Sequence, residues 1–177
     1  MSAKEIIEQV ASEYAICEYA FGLEKDVPFS EKVRYICETD CERYGKCWAC
    51  PPYGGAVNAN IEKCGKYENI FVFSTVTEVA DAWNARACLA VKEEHERISR
   101  EINARLKAQG LDFLMLSTGC TKCHPCACPD EPCRFPEEQI SSMESHGIVI
   151  MQLADEMGLS YSYGSDCIVY FGMILFN

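Results

Sequence analysis

The chain has 177 residues, of which 49% are hydrophobic and 24% charged, the composition of an ordinary globular protein, and we expect one domain over residues 1–177. Its 27 acidic and 16 basic residues give a formal net charge of −11, which argues against a nucleic-acid partner because such surfaces need basic patches. No apolar run approaches the ~20 residues of a membrane span and the N-terminus is unlike a signal peptide, so we expect a cytoplasmic protein with no membrane partner.

The N-terminal segment predicts a helix over residues 3–21. Ser2 and Glu5 fit a capping box, and apolar residues then recur three or four positions apart. Gly22 suits the end of this helix, and Pro28 predicts a turn before the first cysteines.

The central part of the chain predicts a strand, a long helix and a second strand. Residues 69–77, NIFVFSTVT, are rich in β-branched and aromatic side chains, as buried strands are. Residues 79–109 carry apolar side chains at helical spacing, and Gly110 offers a C-terminal cap. Residues 111–117, LDFLMLS, are short and apolar enough for a buried strand that leads directly into a cysteine-rich loop.

The C-terminal part predicts a third helix and two strands. Ser141 and Glu144 offer another capping box, and the helical pattern ends before Gly158, although GIVIM at residues 147–151 also suits a strand. The tail, LSYSYGSDCIVYFGMILFN, is typical of two strands around a turn at residues 164–166. The order of elements predicts an α+β fold in which helices cover a small mixed sheet and two cysteine-rich loops bind metal.

Cysteine is the unusual component, with thirteen in the chain. In a reducing compartment, clustered cysteines are more often metal ligands or catalytic thiols than disulfides. Nine of them form two groups. The first group, CETDCERYGKCWAC, contains Cys37, Cys41, Cys47 and Cys50, and the second, CTKCHPCACPDEPC, contains Cys120, Cys123, Cys126, Cys128 and Cys133.

The spacing within the groups favours iron-sulfur clusters over zinc. Two-residue spacers let neighbouring thiolates turn towards one metal centre, which suits both kinds of site. Cys120, Cys123 and Cys126 begin like a bacterial cluster loop, whose last cysteine typically precedes proline. Proline follows Cys50 and Cys128, whereas structural zinc more often takes two pairs of ligands. Zinc, and a thiol or disulfide function, stay as alternatives.

The second group departs from the ferredoxin pattern after Cys126. A ferredoxin loop places its fourth cysteine after three further residues, whereas Cys128 comes too early and Cys133 too late. A compact two-cluster ferredoxin is therefore not expected. Either each group holds its own [4Fe-4S] cluster or the groups exchange a ligand, because nine cysteines exceed the eight that two clusters need.

Several short motifs around these cysteines occur together. They are the stretch from Cys37 to Pro52 with Tyr44-Gly45-Lys46 inside it, then Gly119-Cys120, Cys123, Cys126, Cys133 and Pro136, and finally Ser142-Met143-Glu144 and Gly147-Ile148. In this pattern the chain resembles, over most of its length, the cysteine-rich predicted metal-binding proteins of the domain of unknown function 2284 family. The resemblance implies metal binding and brings no established reaction.

The resemblance implies a metal role for the seven cysteines that match the family pattern. Cys47 and Cys128 match no fixed cysteine of the family, and seven ligands would leave one cluster a ligand short. With Cys47 included, the candidate cofactor-binding and metal-binding residues are Cys37, Cys41, Cys47, Cys50, Cys120, Cys123, Cys126 and Cys133.

These observations lead to three hypotheses about function. The first is an iron-sulfur protein with one or two [4Fe-4S] clusters that transfers electrons to a partner enzyme, for which an acidic surface suits docking. The second is a zinc protein with a structural or metal-delivery role. The third is an iron-sulfur enzyme in which one iron lacks a cysteine ligand. The sequence predicts no catalytic residue and leaves the oligomeric state open.

Overall fold

The fold is built around one five-stranded mixed sheet. The structure is a computed structural model that describes all 177 residues. The strands are β1 (Glu18–Leu23), β2 (Asn69–Glu78), β3 (Phe113–Ser117), β4 (Ser141–Ser142) and β5 (Cys167–Phe176), in the spatial order β1-β2-β5-β3-β4. All neighbouring pairs are antiparallel except β3 and β4, which run parallel.

The sheet has a hydrophobic core on each face. Successive side chains of a strand point to opposite faces, so Ile70 and Val72 of β2 join one core while Phe71 and Phe73 join the other. All four of these side chains are at most 1% exposed. The strand is therefore buried on both sides, which accounts for its nearly continuous apolar sequence.

Five α-helices complete the fold, and they are α1 (Ala3–Ala11), α2 (Lys32–Asp40), α3 (Val57–Cys64), α4 (Ala85–Ala108) and α5 (Ile150–Glu156). The apolar faces of α1 and α4 cover the Phe71 side of the sheet. The other side is covered by α5, by Cys64 of α3 and by irregular segments. The predicted α+β class is confirmed, and no helix has the length and apolarity that a bilayer span requires.

The central predictions are confirmed with small shifts at their ends. The predicted strands at 69–77 and 111–117 correspond to β2 and β3. The long helix begins at Ala85 rather than at residue 79, because the Asn84 side chain accepts a hydrogen bond from the Ala87 amide and caps the first turn. Gly110 follows the helix with a φ of +73°, the left-handed conformation expected after a helix end.

The prediction of a helix over residues 3–21 is wrong beyond Ala11. Residues 18–23 form the edge strand β1 instead, and Gly22 lies inside that strand. Phe21 packs its ring 4.9 Å from that of Phe71, so pairing with β2 buries an aromatic surface that a longer helix would leave unpacked. Tertiary packing here overrides the helical spacing.

The helix predicted before Gly158 is confirmed as α5, but its predicted start and one of the two predicted tail strands are wrong. Ser141 and Ser142 pair with β3, and Glu144–His146 form a single 3-10 turn, so the next α-helix begins only at Ile150. Of the two tail strands, only β5 forms. The segment before β5 contacts the edge strand β1 instead, since the Ser160 amide donates to the Glu18 carboxylate at 2.7 Å.

Two short helices were not predicted at all. The first, α2, carries Cys37, and α3 follows the first cysteine group. Neither has a side-chain cap at its N-terminus, and α2 buries none of its residues, so both lack the usual sequence signals of a helix.

Candidate metal centre

The first cysteine group lies at the end of α2 and in the turns that follow it. Cys37 is on the helix, and Cys41 is the residue that terminates it. Cys47 and Cys50 come after a run of tight turns, in which the Cys50 amide donates to the Cys47 carbonyl at 3.1 Å. The turns leave Cys47 buried and Cys50 half-buried.

The second group occupies the loop after β3, as the sequence predicted. This loop is fastened to α4 by Glu96, whose side chain is 1% exposed. The Glu96 carboxylate accepts hydrogen bonds from the Thr121 amide at 2.6 Å and from the Thr118 hydroxyl at 3.0 Å. Lys92 and Arg100, one helical turn to either side, neutralise it at 2.8 and 3.6 Å.

The two groups meet at Gly119. Its φ is +102°, and a Cβ atom at this position would lie 3.0 Å from the Cys50 sulfur. A side chain would therefore be both conformationally strained and too close to the thiol. Glycine allows the end of β3 to approach the first cysteine group directly.

The structure divides the eight candidate cysteines between two cavities. The smaller cavity, here called the five-cysteine site, has a volume of about 10 Å³ and is lined by Cys47, Cys120, Cys123, Cys126 and Cys133. That volume is about the space of one water molecule. Cys47, from the first group, is thus placed with the second group.

The larger cavity, here called the three-cysteine site, has a volume of about 390 Å³ and is lined by Cys37, Cys41 and Cys50. Its remaining lining is largely polar, with Lys92 from α4 and Glu144 from the 3-10 turn after β4. This cavity falls within the size range of small-molecule pockets, whereas the five-cysteine site is far smaller.

The two sites touch through the neighbouring thiols of Cys47 and Cys50, which belong to the same turn. This contact lowers the pKa of Cys47, with help from the Ala49 amide and the Arg43 guanidinium, and raises the pKa of its partner Cys50. Arg43 also donates to the Cys120 carbonyl, so one cation lies against both cysteine groups. Cys47 is therefore the thiol best prepared to act as a thiolate.

Burial has the opposite effect on other thiols. It raises the pKa of Cys37 to about 11, with the Glu144 carboxylate adding to the shift, and it also raises the pKa of Cys120. Burial likewise raises the pKa of Glu144 itself, against the opposing charge of Lys92. A bound cation would reverse these penalties, because coordination stabilises the ionised form of each ligand.

Cys128, the surplus thiol of the second group, lines neither cavity. Its sulfur lies 3.8 Å from the Gly45 carbonyl oxygen, and the residue is 7% exposed. Among the four isolated cysteines, which are Cys17, Cys64, Cys88 and Cys167, only Cys64 is a buried core residue. All thirteen cysteines are free thiols.

The donor set fits soft metals. Thiolates favour zinc and iron-sulfur clusters over magnesium or calcium, and here they come in two separate sets. No three His, Cys, Asp or Glu side chains converge on a point that suits a single ion. Each site is therefore a cavity lined by soft donors and not a preformed cage for one ion.

Sequence reasoning did not single out the charged residues of this region, which are Arg43, Lys92 and Glu96, and it took Glu144 for a helix cap. A signal for part of the set was present, since Lys92, Glu96 and Arg100 follow one another at four-residue spacing on a predicted helix. What the spacing could not tell is that this charged stripe faces the cysteine loop.

Comparison with known proteins identifies the family. No curated protein and no solved structure matches the chain significantly. A family model described as "Predicted metal-binding protein (DUF2284)" matches residues 23–176, which include both cysteine groups and strands β2 to β5. The chain therefore belongs to the DUF2284 family of predicted metal-binding proteins.

Proposed function

We propose that this metal-binding protein is an iron-sulfur protein with one [4Fe-4S] cluster at each of the two cysteine sites, and that it transfers electrons to a partner enzyme. The observation that carries the proposal is the division of eight cysteines between two cavities that touch at Cys47 and Cys50. Bound clusters would supply one-electron chemistry, with potentials set by ligands, hydrogen bonds and exposure.

The charged residues around the sites suit this role. Arg43 donates to the Cys120 carbonyl, and its charge lowers the pKa of Cys47, so it offsets thiolate charge where the two sites meet. Lys92 lines the three-cysteine site and is held there by Glu96. The net charge of −11 favours a partner with a basic docking surface.

A second function is favoured by the three-cysteine site, which has one thiol fewer than a four-cysteine cluster needs and opens into a cavity of about 390 Å³. An iron without a cysteine ligand there would have room for a small molecule beside it. The protein would then be an iron-sulfur enzyme, and the five-cysteine site would deliver electrons to it.

Anaerobic purification tests the proposal. The protein should be brown with absorbance at ~400 nm, should contain roughly eight iron and eight sulfide per chain, and should be reduced and reoxidised reversibly. Colourless protein with stoichiometric zinc would overturn both iron-sulfur functions and support the structural or metal-delivery role. Aerobically purified protein is unsuitable here, because exposed clusters are lost to oxygen.

A further inference from the structure

We propose that Glu144 supplies the fourth ligand, a carboxylate oxygen, of the metal centre at the three-cysteine site. The inference rests on the proposed function only in so far as this site binds a metal. Glu144 lines the same cavity as Cys37, Cys41 and Cys50 and comes from a different part of the chain. The site would then be complete with three sulfur ligands and one oxygen ligand.

The Glu144 carboxylate has no partner in another residue. Burial raises its pKa more than its own backbone amide and the charge of Lys92 lower it. Lys92 lines the same cavity, but its ammonium is engaged by Glu96 at 2.8 Å and by the Thr118 carbonyl. Glu144 is half-buried, and a partly desolvated carboxylate without a dedicated partner is available to a cation within the cavity.

The other oxygen groups of the cavity are less suitable. The Thr118 hydroxyl donates to Glu96 at 3.0 Å, and the Ser142 hydroxyl accepts from the Ser145 amide at 3.0 Å. Asp40 is exposed at the end of α2 and can stay hydrated. Glu144 is thus the one carboxylate that is both shielded and uncommitted.

The backbone holds Glu144 firmly in place. The amide of the preceding residue, Met143, donates to the Ser117 carbonyl at 2.9 Å, and the Met143 side chain is fully buried. The backbone carbonyl of the following residue, Ser145, accepts a hydrogen bond from the buried side-chain amide of Asn60 at 2.8 Å. Ligands held by such surrounding contacts are positioned before the metal arrives.

An oxygen ligand would distinguish this site from the five-cysteine site. Carboxylates bind both zinc and iron, and replacing a cysteine ligand of a cluster alters its reduction potential. The iron bound by Glu144 would be the most easily removed, because a carboxylate holds it less tightly than a thiolate does.

The test compares three variants of the full chain, each reconstituted anaerobically with iron and sulfide. Glu144→Gln keeps the size of the side chain but removes the ligand charge, Glu144→Cys offers a thiolate instead, and Asp40→Asn is the control in the same cavity. Iron and sulfide content, electron paramagnetic resonance spectra and reduction potentials are measured, and circular dichroism checks the fold.

We expect Glu144→Gln to lose one iron per chain to a mild chelator. Glu144→Cys should keep all its iron with a more negative potential, and Asp40→Asn should match the wild type. If Glu144→Gln retains wild-type iron content and spectra, Glu144 is not a ligand. If the wild type binds zinc instead, the iron-sulfur proposal fails. The inference about Glu144 then stands only if Glu144→Gln lowers the zinc occupancy of the three-cysteine site. A wild-type chain with no metal at the three-cysteine site would overturn it.

Discussion

Different interactions stabilise the sheet and the cysteine face. The cysteine face comprises residues 37–54 and 118–135. Strands β2 and β5 pair over ten residues, and side chains such as Phe71 and Ile174 are fully buried between helices. The cysteine face has no strand, and its only regular structure is the end of α2. It depends on turns, on the buried Glu96 and on its thiols, so we expect a bound metal to stabilise the cysteine face much more than the sheet.

Removal of the metal should produce the largest difference in stability between the sheet and the cysteine face. Without ligand bonds the cysteine face loses its main restraint, while the apolar cores of the sheet are unchanged. Hydrogen exchange of metal-free protein should show fast exchange across residues 37–54 and 118–135 and continued protection of β2 and β5. Loss of protection in β2 as well would show that the sheet also depends on the metal.

Removal of thiols from one site should leave the other site filled. The double variant Cys120→Ser/Cys123→Ser leaves three cysteines at the five-cysteine site, and we expect iron and sulfide to fall by about half. A double variant is needed because a site with five cysteines has one to spare. Cys128→Ser is the control and should retain all its iron, because Cys128 lines neither cavity. Equal losses from the two variants would contradict this division.

Glu96 should be the most important residue outside the thiols for joining α4 to the cysteine face. Glu96→Ala leaves the Thr121 amide and Lys92 without their partner, and breaking a buried ion pair costs roughly 3–5 kcal/mol of unfolding free energy. Urea unfolding measures the loss.

The matched control is Glu101→Ala on the same helix. Glu101 pairs with Arg97, and both side chains are about half exposed. Exposed pairs contribute less than about 1 kcal/mol. A similar cost for both variants would mean that Glu96 has no special role in fastening the loop.

His95 provides a smaller, pH-dependent test on the sheet side of α4. It lies 1% exposed between Phe73 and Tyr170, with Nδ1 2.8 Å from the Thr75 hydroxyl oxygen, and burial lowers its pKa from 6.5 to about 4. Its neutral form is the one that the folded state favours. Its contribution to stability is therefore complete above pH 6.5 and declines as the pH falls towards 4, by up to roughly 3 kcal/mol.

His95→Gln should weaken this dependence without changing the metal content at pH 7. Urea unfolding at several pH values between 7 and 4 measures the difference between the variant and the wild type. Burial also lowers the pKa of His146 to about 4, so the variant should retain part of the acid sensitivity. An unchanged pH profile would show that His95 is not the titrating group.

The parts of the fold that the sequence predicted well are those in which local pattern and packing agree. The β2 segment is buried on both faces and α4 is long and amphipathic, so the hydrophobic pattern is sufficient for both. The helix prediction fails at residues 18–23 because six residues carry too short a pattern to compete with the preceding helix. Their strand is decided by pairing with β2, which is distant in sequence.

The candidate site shows the same limit. The sequence by itself determined the chemistry of the donors, because clustered cysteines suit soft metals whatever their arrangement, and it determined the family. It could not assign Cys47 and Cys50 to different cavities, since spacing limits how far a thiol can reach and leaves its direction open. Tight turns, the left-handed Gly119 and the anchoring of the second loop by Glu96 decide that direction. The placement of Glu144 beside three cysteines also arises only in the tertiary structure, because β4 pairs with β3 and carries it there.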